Sequence, residues 1–291
     1  MASLKEIKGR IASVGNTLKI TSAMKMVSSA KLHRAQSAAA ALAAYDRALK
    51  RLGEAVRTVE AGESIARWYR VAERAERVAV VAMASDSSLC GSFNNNAIKA
   101  LHSTLGQLHE AGCTAITLYP IGEKMAQAVA KSGLEADFGF RALMGEGSFA
   151  QTATLADRLI EGFATGLFDR IVLVYNHFYS MGRQAPVSEE FLPLSPQQKE
   201  QEQSGQTAEY LLEPKAEELT GELIPYLLRT RLHTAILDSL LAEHAARMVA
   251  MQTATDNASA LLEELRLSYN KRRQQAITEE LADITQAAEG Q

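Results

Sequence analysis

The chain carries two runs of apolar residues at three- and four-residue spacing, one at each end, with a different kind of sequence between them. Leu4, Ile7, Ile11, Val14 and Leu18 open the first run, which resumes as Ala35, Ala38, Leu42, Tyr45, Leu49, Leu52, Val56 and Val59. The second reads Leu237, Leu241, His244, Met248, Met251, Thr255, Ala258, Leu262, Leu265 and Tyr269. This period draws a narrow apolar seam along one side of a helix, and such a seam needs a partner helix. With one seam at each end, the nearest partner is the other end of the same chain. The pattern predicts a long antiparallel helical pair closed by a middle domain. That form suits reaching or transmitting force better than it suits an enzyme pocket.

From Asn16 to Leu52 there is neither Gly nor Pro, and good helix formers dominate. The first helix is expected to run about 50 residues, or ~75 Å. Around Thr21 and Lys25 the seam positions turn polar, and Ile20, Met24 and Val27 are expected to take over on a neighbouring face. Pro225 marks either a kink or a late helix start. Beyond it no Gly or Pro appears until Gly290, so ~60 residues can form one helix of ~90 Å.

Charge is divided as sharply as the pattern. Residues 1–57 hold eleven Lys and Arg against Glu6, Asp46 and Glu54, about +8 in a chain of net charge -3. The last helix is acidic overall, but Arg266, Lys271, Arg272 and Arg273 make a local basic cluster. One end is therefore prepared for an acidic partner. No stretch approaches the roughly 18 consecutive apolar residues of a membrane span. Met-Ala-Ser-Leu-Lys-Glu lacks the apolar core of a signal peptide, which predicts a cytosolic protein without direct lipid insertion. Cys90 and Cys113 make neither a CxxC nor a metal-ligand pattern and read as structural thiols in a reducing compartment.

Between the seams the period changes. Val78–Met83 is a short apolar run of the kind found in buried parallel strands, and Thr114–Tyr119, Arg170–Tyr175 and Val187–Leu192 read as further strands. A weaker strand is expected near Leu134–Phe138. Helices are expected over Asn95–Glu110, Lys124–Lys131 and Phe149–Thr165. This alternation argues for a small open α/β sheet, Rossmann-like in type. The expected divisions are an N-terminal coiled-coil helix over 1–62, an α/β domain over 77–194, a polar linker over 195–209 and a C-terminal coiled-coil helix over 210–288.

Catalytic chemistry is not evident. The loop Asp86–Asn96 after the first strand fits neither G-x-G-x-x-G nor G-x-x-x-x-G-K-[ST], so the sheet reads as a scaffold and no cofactor is implied. The six histidines lack metal-ligand spacing, and Ser85 and Asp86 have no context that makes them a nucleophile pair. Met24, Met26, Met248 and Met251 fit adaptable packing. The basic first helix also fits a nucleic-acid-binding arm. The chain is acidic overall, however, with no aromatic stacking platform or basic domain, and nucleic acid is not the expected partner.

Two long runs carry a family resemblance. One is Lys5-Glu6-Ile7 … Arg10-Ile11-Ala12-Ser13-Val14 … Lys19-Ile20-Thr21 … Ala23-Met24-Lys25-Met26-Val27. The other is Glu243-His244-Ala245-Ala246-Arg247-Met248-Val249-Ala250-Met251 … Ala254-Thr255-Asp256-Asn257-Ala258, continuing as Tyr269-Asn270-Lys271 … Arg273-Gln274 … Ala276-Ile277-Thr278-Glu279-Glu280-Leu281. Both closely resemble the gamma subunit of F-type ATP synthases. The resemblance implies a non-catalytic rotor inside a ring of alpha and beta subunits, with a foot domain bearing on the epsilon subunit and the c ring. The location would be peripheral, on the cytoplasmic face of the cell (inner) membrane. By the resemblance, Arg273, Gln274 and Thr278 engage the catch loops of the alpha/beta ring, and Lys19, Met24, Lys25 and Lys31 form a collar facing the beta levers. Tyr210, Leu211, Leu212 and Glu213 lie where the family touches the c ring and epsilon. The family's loop reads close to Asp-Arg-Gly-Leu-Cys-Gly-Gly. Here Ser87, Ser88 and Ser92 replace its Arg and two Gly, so the resemblance assigns no contact to that loop. The cysteine-bearing insertion of the chloroplast type is missing, which argues against thiol control of rotation.

Overall fold

A computed structural model describes residues 3–58, 66–72, 75–146, 148–194 and 216–289. The expected linker 195–209 and the segment Tyr210–Glu213 lie outside them. Two compact units form, one of Met1–Ala30 with Arg247–Gln291 and one of Lys31–Ala246.

The first unit pairs the beginning of α1 (Leu4–Thr58) with the end of α6 (Ala216–Glu289). Ile7, Thr21 and Ser28 of α1 are buried, as are Met251 and Ala258 of α6. Thr255 Oγ1 donates to Thr21 Oγ1 at 2.9 Å, and Ser28 Oγ donates to the Met24 carbonyl at 2.8 Å. The expected change of face is therefore corrected. Ile20 and Val27 are 60% and 57% exposed, while Ser28 is 2% exposed. Steps of three and four continue unbroken through 18, 21, 25, 28 and 32, and small hydroxyl side chains occupy the seam because each finds a hydrogen-bond acceptor there.

In the second unit the same count continues. Leu32 and Leu49 are buried and Ala35, Ala39 and Leu42 half-buried, whereas Ala38 and Tyr45, expected in the seam, are exposed. The centre of this unit is a four-stranded sheet in the order β2-β1-β3-β4. Its strands are β1 (Arg77–Met83), β2 (Ala115–Ile121), β3 (Arg170–Ser180) and β4 (Arg183–Leu192). The first three are parallel and β4 pairs antiparallel with β3. Connecting them are α2 (Phe93–Glu110), α3 (Glu123–Ala130), the short α4 (Leu143–Glu146) and α5 (Phe149–Ala164).

The apolar run of β1 serves both faces of the sheet. Val78, Val80 and Ala82 pack with Leu101, Leu105 and Met125 on one face. Ala79, Val81 and Met83 pack with Leu155, Leu159 and Phe163 of α5 and with Leu228 and Leu232 of α6 on the other. A strand buried on both sides has no reason to alternate, and this is why it reads as a continuous apolar run.

Two expectations change here. Leu134–Phe138 is not a strand: a single bridge joins Ala136 to Leu118. Asp137 Oδ1 then accepts the Gly139 N–H at 2.9 Å and turns the chain into a 3-10 helix at Phe138–Phe140. Pro225 does not mark a late start, because α6 begins at Ala216 and Ile224 and Leu228 anchor the segment in the core. Among the described residues no helix is long and apolar enough to cross a membrane.

Two polar contacts lock this unit. Asp169, before β3, accepts Arg77 Nη2 at 2.8 Å and the backbone N–H groups of Arg77 and Glu76 at 3.0 and 3.1 Å. The Arg77 guanidinium holds its carboxyl below the usual carboxylate range. We predict that Asp169→Ala costs about 1–3 kcal/mol in urea denaturation, because it strands backbone donors as well as breaking an ion pair. Arg77→Ala, which leaves those donors satisfied, is expected to cost less.

His233 of α6 is buried, with Nδ1 3.3 Å from Thr152 Oγ1 and its ring edge-to-face with Phe149 at 5.3 Å. Burial pushes its pKa below the ordinary 6.5. The unfolded chain then binds a proton that the folded chain refuses, so stability falls as pH drops below 6.5 toward the lower folded value. The expected slope is at most about 1.4 kcal/mol per pH unit. Melting temperatures at about pH 7.5 and 5.5 check this: His233→Gln should lose less stability over that interval than the unaltered chain.

Candidate functional site

A catalytic centre on a sheet of this kind lies at the carboxyl ends of its parallel strands. Ser85 follows β1, and its hydroxyl donates to the Ser87 carbonyl at 2.6 Å and lies 2.9 Å from Asn94 Oδ1. No base faces it in these contacts. Asp86 Oδ1 accepts the Glu123 N–H at 3.1 Å and so caps α3. Asn94 Nδ2 donates to Cys90 Sγ at 3.2 Å. Leu89 and Gly91 take positive φ of 68° and 61° to close the loop, the first an unusual conformation for leucine. Ser85, Asp86, Cys90 and Asn94 are therefore each engaged in building the loop or capping the helix beside it. Ser87, Ser88 and Ser92, where the family pattern has Arg and Gly, are accommodated without glycine at those places. Cys90 and Cys113 are free and buried, and burial pushes the Cys113 thiol up. Among the described residues no cluster of His, Cys, Asp or Glu is arranged to hold a metal.

The polar residues that do converge are on β3, β4 and α6. Arg231 of α6 donates to Glu189 Oε1, to the Glu190 carbonyl at 2.8 Å and to the Phe191 carbonyl at 3.3 Å. Asp238, two helical turns further on, accepts from His177 Nδ1 and, at 3.1 Å, from the Phe178 N–H. Tyr175 donates to Glu189 Oε2 at 3.1 Å, and burial together with the Glu189 charge pushes its phenol well above the ordinary range. The protonated phenol serves as a hydrogen-bond donor to Glu189. The arrangement joins a helix to a sheet.

The residues singled out from sequence lie on helix surfaces. Lys19 is exposed, and Met24 and Lys25 are half-exposed, on α1 in the first unit. Lys31, also exposed, falls in the second unit. Arg273, Gln274 and Thr278 are exposed on α6, with the Thr278 hydroxyl donating to the Gln274 carbonyl at 2.9 Å. The Thr21–Thr255 contact fixes the antiparallel register of this unit. By the Thr21–Thr255 register Leu4, where α1 begins, faces Arg272, so α6 continues for about 17 residues, or ~26 Å, past its partner's start. Ile277 and Ile284, two turns apart on that extension, are 49% and 65% exposed. Arg273, Gln274 and Thr278 thus stand together at the beginning of the extension, separate from Lys19, Met24 and Lys25. Tyr210–Glu213 lie outside the described residues.

Sequence reasoning missed the Arg231–Glu189 and His177–Asp238 pairs. Their members are 42 and 61 residues apart, and no local pattern links them. The sheet register alone, with Tyr175 opposite Val187 and Leu173 opposite Glu189, brings the strand partners together.

Comparison with known proteins agrees along the whole chain. The ATP synthase family model matches residues 3–290. An ATP synthase gamma chain of Phocaeicola vulgatus is 45% identical over 285 residues, 98% of each chain, and one of Bacteroides fragilis is 46% identical over 286 residues, again 98% of each. Among solved structures, a chain of the OSCP/F1/c-ring part of the Euglena gracilis mitochondrial ATP synthase superposes with a TM-score of 0.59 at 20% identity, covering 97% of this chain and 92% of that one. A chain from the central stalk and c-ring structure of the Tetrahymena thermophila mitochondrial ATP synthase gives 0.58 at 21% identity, covering 81% and 99%. The structures agree in fold and the relatives in sequence from end to end: this chain belongs to the family of ATP synthase gamma chains.

Proposed function

We propose that this chain is the central rotor shaft of an F-type ATP synthase, coupling ion flow through a membrane c ring to ATP synthesis or hydrolysis at alpha and beta subunits. The observation that carries the reading is identity of 45–46% to gamma chains over 98% of their length. As a gamma chain it is itself non-catalytic and peripheral to the membrane as part of the complex. The finer location is the cytoplasmic face of the inner membrane.

The mechanism follows from asymmetry. Three catalytic sites around one shaft meet three different faces of it, and each face favours a different conformation of the site it touches. Turning the shaft exchanges those preferences in sequence, so rotation becomes a change in nucleotide affinity, and hydrolysis drives the same cycle backward. A single helix would bend or melt under this load; a pair with a buried seam resists both.

The division of labour proposed along the chain is the coiled-coil helices at 1–62 and 210–288, the α/β foot at 77–194 and the linker at 195–209. Arg273, Gln274 and Thr278 engage the alpha/beta ring at one level, and Lys19, Met24, Lys25 and Lys31 at another. Tyr210, Leu211, Leu212 and Glu213 contact the c ring and the epsilon subunit. Supporting this, the α6 extension opens on exposed Arg273 and carries exposed Ile277 and Ile284, apolar side chains suited to insertion into a protein ring more than to water.

Mixing the chain with separately purified alpha and beta subunits tests the reading: a large assembly should form whose ATP hydrolysis requires it. Within that assembly Arg273→Ala is expected to lower turnover by roughly tenfold, a loss of ~1.4 kcal/mol of coupling, with the isolated chain's helicity unchanged. Unchanged turnover would remove Arg273 from the contact. A chain that stays alone and leaves hydrolysis unaffected would remove the rotor reading.

A further inference from the structure

We propose that Arg231 and Asp238 of α6 are the clamp through which the β-sheet grips this helix and passes turning force into it; the inference rests on the rotor reading above. The reason lies in the difference between two kinds of contact. Ile224, Leu228 and Leu232 fasten α6 to the core by apolar burial. Burial is non-directional and by itself specifies rotation and axial position less sharply than hydrogen bonds do. Arg231 and Asp238 supply the direction. They lie seven residues apart on one face, about 10 Å along the axis. Each also holds sheet backbone as well as a side chain. Arg231 donates to the carbonyls of Glu190 and Phe191 on β4, and Asp238 accepts the Phe178 N–H on β3. The Glu189 and His177 contacts close each grip with a charged or ring partner. Two anchor points on two different strands fix both the rotation and the axial position of the helix.

The space between the anchors strengthens the case. A cavity of about 340 Å³ opens there, walled by Tyr175, Thr234 and Leu237 and, from α1, by Ala39 and Leu42. On the opposite side of the helix Leu232 and Ile236 pack into the core, so the polar pairs hold the side that close packing leaves open. Arg231 and Asp238 belong to one helix that runs on to Glu289, and a twist applied at the clamp travels along its hydrogen-bonded turns.

The test uses the assembled complex, with alpha and beta subunits and the membrane sector in sealed vesicles, and reads ATP hydrolysis and ATP-driven ion uptake together. Asp238→Ala and Arg231→Ala should each lower uptake per ATP hydrolysed, and the double variant by on the order of tenfold, with hydrolysis within about twofold of the unaltered complex. Asp238→Glu, which keeps the acceptor, should restore most of the uptake. Melting of the isolated variants separates a fold defect from a coupling defect. The clamp is overturned if the double variant pumps as well as the unaltered complex. It is equally overturned if uptake and hydrolysis fall in parallel with assembled protein. If the unaltered chain supports no hydrolysis in the assembly, the rotor reading itself fails, an outcome distinct from either.

Discussion

The seam between α1 and α6 is the contact on which the rest depends. It joins residues 234 apart in sequence, as Thr21 and Thr255 are, and neither helix has another way to bury its narrow apolar stripe. Closing so long a loop from flexible chain costs entropy that grows only slowly with length. The described residues between them supply structure of their own. They form a sheet whose first strand is buried on both faces, and this gives the loop its own stability.

A seam built only of leucine would bind more strongly and less specifically. Thr21 and Ser28 give up apolar burial at two positions of α1, and the hydroxyl pair Thr21–Thr255 recovers a hydrogen bond only in one alignment. A slip of one heptad sets Thr21 against Leu262 or Met248, where no hydroxyl waits. The polar layer therefore opposes the misregister that a regular repeat invites. For a shaft this matters more than total stability, because a register error would displace every exposed contact on both helices at once.

Much of this was legible in the sequence where one local rule decides the outcome. The helical pair follows from two stripes of equal period, and the strands from short apolar runs between turns. The misread positions are those where hydrophobicity and position disagree. Ile20 and Val27 attract the eye as seam residues, yet counting in threes and fours from Leu18 lands on Thr21, Lys25 and Ser28, and the count proves right. Leu134–Phe138 has strand composition, but the Asp137 side chain turns the backbone away after one bridge. The Arg231 and Asp238 grips could not be read at all, because sheet register creates them and each partner alone is an ordinary charged residue. The residues proposed to face the ring, from Lys19 to Thr278, are assigned through resemblance alone. An exposed lysine on a helix looks the same whether it meets water or a partner.

That last ambiguity has a physical basis in the proposed role. A part that turns within a ring meets a series of neighbours and cannot be fitted closely to any one of them. Its contact face must tolerate changing surroundings, and long flexible side chains do this best: Lys19 and Lys25 keep their charge in reach of an acidic neighbour over several ångströms, and Met24 adapts its shape. Such residues bind weakly in any single pose, and salt bridges at exposed sites contribute little stability. The joints that must not slip need the opposite design, with short, directional bonds to backbone and little freedom, as at Arg231 and Asp238. The same chain thus separates its polar groups into two classes, loose ones where it turns against others and tight ones where it must turn as one piece.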